Sequence, residues 1–99
     1  MAYIIEFAES VKEHMRYLSA FERALMLDSV DEQLTYEPLV ETRNRKQLRP
    51  NPLAPWELRV DDLRAYYDVT SDAPGVVQVL AVGRKIGNRV MIAGREVRL

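Results

Sequence analysis

The sequence predicts an α+β domain, and three observations carry that expectation. A β-branched and aromatic opening, Tyr3–Ala8 (YIIEFA), leads into two helix-capping signals followed by apolar residues at helical spacing. Trp56–Val69 (WELRVDDLRAYYDV) alternates apolar and polar residues on both sides of Asp61-Asp62. Val76–Val82 (VVQVLAV) is almost wholly apolar, as a central strand should be. Helices followed by a run of strands imply helices packed on one face of a mostly antiparallel sheet. The expected order is an N-terminal strand, a helical hairpin, then a sheet of three or four strands.

The first strand stops where Ser10-Val11-Lys12-Glu13 fits an S-x-x-E capping box and starts a helix with Val11, Met15 and Leu18 facing the core. Ser19-Ala20-Phe21-Glu22 repeats the box, so a second helix begins at a sharp corner. It carries Phe21, Ala24, Leu25, Leu27, Val30 and Leu34, and Pro38 ends it near Tyr36-Glu37. Residues 38–55 form the one long irregular segment. It holds four prolines and the basic residues Arg43, Arg45, Lys46 and Arg49, with a short strand expected at Lys46–Leu48. A hairpin about Asp61-Asp62 sets Arg59 directly across from Arg64, an unfavourable pairing that asks for a nearby carboxylate or a bound anion. Glu57 and Asp68 fall on the same face. Ser71–Gly75 (SDAPG) is a turn. The tail Arg89–Leu99 folds as two short strands about Ala93-Gly94.

A chain of 99 residues supports one domain, 1–99, without internal repeats. There are no cysteines, which excludes disulfides, thiol catalysis and Cys-based zinc sites. His14 is the only histidine and reads as a packing or surface residue, so a histidine-rich metal site is also excluded. No apolar run reaches membrane-span length, and MAYIIEF lacks the features of a signal peptide. The expectation is a cytoplasmic protein with no membrane partner. Net charge is −1 but uneven. Residues 1–42 hold three basic and nine acidic side chains, giving −6, and residues 43–99 hold eleven and six, giving +5. A basic half points to an anionic partner or to a plain solvated surface.

W-x-L-R-V-x-x-x-R-x-x-Y-x-V from Trp56, followed by V-x-x-V-G-R-K from Val79, resembles the RelE/ParE superfamily of bacterial toxins. The resemblance spans nearly the whole chain, including Tyr3, Phe7, Leu48 and the tail Ile92–Val97. It implies a toxin of a type II toxin–antitoxin pair, with a cognate antitoxin as protein partner in a hetero-oligomer. RelE-type members cut mRNA on the ribosome; ParE-type members block gyrase. The nuclease branch needs a base for the 2′-hydroxyl, cations for the phosphorane and a proton donor for the leaving oxygen, and it needs no metal or cofactor.

On this resemblance Arg64 contacts the scissile phosphate, and Arg84 and Lys85 are cationic stabilisers. Arg59 lies beside Arg64. Glu57 is a candidate base or a salt-bridge partner for the arginines. Tyr66 is a candidate donor and the better stacking residue for a base, whereas Trp56 belongs to the core. Arg43, Arg45 and Lys46 are candidates for RNA backbone contact, antitoxin contact or a solvated loop. Pro55, Glu57 and Met91 occupy positions where the nuclease branch has Lys, Lys and Tyr. That departure keeps two other outcomes open: a non-enzymatic ParE-like inhibitor, and a degenerate toxin that only binds its antitoxin.

Overall fold

The computed structural model describes residues 2–70 and 72–99; the Ser71 end of the expected SDAPG turn lies outside them. In chain order the elements are β1 (Ile4–Phe7), α1 (Ser10–Met15), α2 (Ala20–Leu34), β2 (Arg45–Gln47), β3 (Trp56–Val60), β4 (Leu63–Val69), β5 (Val76–Ile86), β6 (Arg89–Ile92) and β7 (Arg95–Val97). The strands form one sheet in the order β2-β3-β4-β5-β6-β7, and β1 pairs with β5 in parallel. The α+β class stands, but among the described residues the sheet has seven strands rather than three or four. The length of β5 accounts for part of the difference. Its first half pairs with β1 (Ile4↔Val76 to Phe7↔Val79) and its last residues with β6 (Arg84↔Met91 to Ile86↔Arg89).

The β3–β4 hairpin turns at Asp61-Asp62 and pairs Arg59 with Arg64, as the alternation predicts. Asp61 takes a left-handed φ of 53°, a conformation that aspartate tolerates better than most residues. The Ala93-Gly94 turn joins β6 to β7 with both residues at positive φ.

Of the two capping boxes, only the second forms. The Glu22 N–H donates to Ser19 Oγ at 3.1 Å, and the Ser19 N–H donates to Glu22 Oε1 at 2.9 Å. At the first, Glu9 is the N-cap, and the Ser10 hydroxyl donates instead to the Leu80 carbonyl at 3.2 Å. The reason is a gap in the edge of β5 between the end of β1 and the start of β6. Helix α1 fills it. Four residues on from Ser10, on the same helix face, His14 Nδ1 accepts the Val82 N–H at 3.2 Å. His14 is therefore a closure of the sheet edge rather than simple packing or surface.

Two cores flank the sheet. Between helices and sheet, Val11, Leu18, Met26, Val30 and Leu34 pack on Trp56, Leu58, Leu63, Tyr67 and Val79. Leu58 has no exposed surface, which stabilises by about 2 kcal/mol. Trp56 stacks on Tyr67 at 6.0 Å, and the Tyr67 hydroxyl donates to the Pro38 carbonyl at 2.7 Å. On the opposite face a smaller core joins Ala54, Tyr66, Ala81, Val90 and Ile92, with Leu48, Leu53 and Val97 against it. A register shift between Tyr66 and Tyr67 leaves Leu80 as an extra residue on β5. It lets Ala81 face this second core while Val79 and Val82 face the first. The helix-free face is thus partly covered, and the uncovered remainder carries the polar cluster. Among the described residues no helix is long and apolar enough to cross a membrane.

Candidate functional site

Strand alternation builds the site. With Trp56, Leu58 and Val60 turned to the helices, β3 must turn Glu57 and Arg59 to the other face. Likewise β4 sends Arg64 and Tyr66 there, and β5 sends Lys85, which pairs with Val90 of the second core. Registers Glu57↔Tyr66, Arg59↔Arg64 and Arg64↔Gly83 draw these residues together. Gly83 is obligatory: a side chain there would strike the Met91 carbonyl of β6.

The geometry explains the facing arginines. Arg59 Nε donates to Glu57 Oε1 at 2.9 Å, and Arg64 Nε stands 3.9 Å from the same oxygen. The Arg64 Nη1 bonds the Asp61 and Leu63 carbonyls, each at 2.8 Å. One carboxylate therefore serves two arginines. They differ in access: the Arg59 side chain is 41% exposed, Arg64 11% and Glu57 7%. Around Glu57 and Arg59 a cleft of about 620 Å³ is also lined by Arg49, Lys85, Asn88, Glu96 and Arg98. Four cations thus surround two carboxylates in one concavity.

Of the expected site residues only Glu57, Arg59 and Lys85 line this cleft; Arg64 lies behind Glu57, and Arg43, Arg45, Lys46, Tyr66 and Arg84 are placed elsewhere. Arg84 and Lys85 are neighbours on a strand, so they point to opposite faces. Arg84 lies on the helix side, paired with Glu22 of α2 at 2.8 Å and Asp62 at 3.4 Å. Its hydrogen bond to Glu22 raises its pKa further and lowers that of Glu22. Arg45 is buried. Its Nε donates to the Val40 carbonyl at 2.8 Å and its Nη1 to Gln33 at 2.9 Å, so it fastens the loop to α2 instead of facing RNA. Tyr66 reaches the expected face but is fully buried beneath the second core, so it cannot stack on a base. Burial, followed by the adjacent charge of Glu57 and an interaction of the hydroxyl with that carboxylate, pushes its phenol far above the ordinary value. The two groups are neighbours, but the hydroxyl has no partner in good hydrogen-bond geometry. Lys46 sits across from Glu57 on β2, and Arg43 is exposed in the preceding loop.

Sequence reasoning missed Asn88, Glu96 and Arg98, which reach the cleft only because β6 and β7 fold back beside β5. It also missed Asn51. The Asn51 side chain accepts the Leu53 and Ala54 N–H groups and donates to the Arg49 and Ala54 carbonyls, shaping the loop that presents Arg49. Among the described residues no group of three His, Asp or Glu side chains is placed to hold a metal ion. A scan against models of protein families found no match, and a search of curated proteins found no relative.

Proposed function

We propose that the chain is a RelE-like toxin that binds RNA in the cleft on its helix-free face and cuts it by transesterification, acting on mRNA at the ribosome. The observation that carries this reading is the convergence of Arg49, Arg59, Lys85 and Arg98 on one accessible carboxylate-bearing cleft. A cationic groove of this kind suits a phosphate backbone. In the proposed reaction Glu57 takes the 2′-hydroxyl proton and the oxygen attacks phosphorus. Arg59 and Lys85 stabilise the phosphorane, and the Lys85 ammonium gives a proton to the departing 5′-oxygen. The products are a 2′,3′-cyclic phosphate and a 5′-hydroxyl. Arg64 is a positioning residue for Glu57. The antitoxin expected with such a toxin has an apolar groove available at Phe7, Val11, Met15 and Leu27, of about 440 Å³.

A second reading is an inhibitor or antitoxin-binding protein that performs no chemistry. It is favoured by the burial of Tyr66 and by Met91 lying across from Arg84 on the helix side. Induction of the chain in a bacterial host, with mapping of mRNA 5′ ends, separates the two. The nuclease reading expects growth arrest with new 5′ ends inside codons, and loss of both in Arg59→Ala and Lys85→Ala. Arrest without new ends moves the assignment to a ParE-like target such as gyrase. Normal growth with soluble protein points to a degenerate toxin.

A further inference from the structure

Two buried donors beside Glu57 lack a well-formed hydrogen bond. Arg64 Nε and Tyr66 Oη are both screened from solvent and both lack a hydrogen-bond partner. A buried unsatisfied donor is costly, and native proteins seldom carry two together. Both donors adjoin the same carboxylate. Glu57 lies across from Tyr66 in the strand register, and its Oε1 is 3.9 Å from Arg64 Nε. Yet Glu57 bonds outward, to Arg59, the most exposed of the three ionised groups.

We propose that Glu57 has two seats and that an anion entering the cleft moves it from one to the other. The outer seat is the Arg59 guanidinium. The inner seat is Arg64 Nε together with the Tyr66 hydroxyl. A phosphate that takes Arg59 displaces Oε1, which turns inward and closes the 3.9 Å separation to Arg64 while Tyr66 donates to it, and the second carboxylate oxygen stays turned to the cleft as the base. Neither arginine and neither anion is then stranded without a counter-charge, the condition that makes buried ions costly. The exchange gives both unpaired donors a partner and gives the facing arginines distinct roles, one removable and one fixed. The trigger rests on the reading of the cleft as a phosphate site; the two seats do not.

A double-mutant cycle on thermal stability, without ligand, tests the seats. In the wild-type background Tyr66→Phe removes a hydroxyl without a well-formed hydrogen bond, so Tm stays nearly level or rises. In an Arg59→Ala background the outer seat is gone and Glu57 takes the inner one, so the same change lowers Tm by roughly 4–8 °C. Equal losses in both backgrounds, as a water-bridged hydroxyl would give, or no loss in either, overturn the two seats. Fluorescence anisotropy with a short 2′-O-methyl RNA tests the trigger. Tyr66→Phe should bind roughly three- to tenfold more weakly than wild type. Unchanged affinity overturns the trigger. Absence of binding by the wild type overturns the cleft as an RNA site, while the cycle still decides the seats.

Discussion

Glu57 decides whether the facing arginines are tolerable. Its carboxylate is bonded to Arg59 and lies near Arg64, and its side chain is almost buried. Glu57→Gln keeps the shape and removes the charge, leaving Arg64 with little solvent and no counter-ion. The expected loss is about 2–3 kcal/mol in urea denaturation. Adding Arg64→Met should recover part of it, because the stranded charge is then gone. A loss below about 0.5 kcal/mol would mean that the pair is effectively solvated. The register that creates this cluster was legible in the sequence, since strict alternation about Asp61-Asp62 leaves one pairing. The separation of Arg84 from Lys85 was legible by the same period. The burial of Tyr66 was not, because its cover comes from Ala54, Val90 and Ile92, on a loop and a strand distant in sequence. Arg45 looked like part of a basic cluster for the same reason: its partners on Val40 and Gln33 are set by tertiary packing.

Helix α1 shows how an element acquires a role that local signals do not state. Ser10 and Ser19 both begin S-x-x-E, yet only Ser19 caps a helix, because the unpaired Leu80 carbonyl lies within reach of Ser10. His14 completes the closure as an acceptor, which requires a neutral ring with Nδ1 unprotonated. Burial lowers its pKa below the ordinary 6.5, against an opposing effect of Glu13, and Arg84 lines the same cavity of about 210 Å³. The folded state therefore binds this proton less readily than the unfolded chain. The stabilisation is complete above the unfolded value of 6.5 and is lost as pH falls from there through the lowered folded value. Urea midpoints should drop as pH falls below the unfolded value of 6.5. His14→Gln, which still offers an acceptor but cannot titrate, should flatten that part of the profile. A slope identical in both proteins would assign the acid sensitivity to other groups.

At the scale of the whole molecule, the layering was legible and the connectivity only partly so. Capping boxes, alternation and an apolar run suffice to put two helices on a sheet. They carry no trace of the parallel β1–β5 pairing, whose partners lie at opposite ends of the chain. Charge, however, follows the layers. Residues 1–42, with the helices, carry −6, and residues 43–99, with the cleft, carry +5. A molecule polarised in this way presents its cleft to a polyanion and repels it from the helix side. If the cleft binds RNA as proposed, the salt dependence of that binding counts the cations engaged. Arg49, Arg59, Lys85 and Arg98 line the cleft. If each displaces a counterion from single-stranded RNA, log K should fall against log salt with a slope of about −3. Arg59→Ala should make the slope shallower by about 0.7. Arg45→Ala, which alters only a buried fastening, should leave the slope of the folded fraction unchanged. A slope near zero for the wild type would mean that RNA is not held by these cations, and a slope altered by Arg45→Ala but not by Arg59→Ala would put the contact surface on the loop rather than in the cleft.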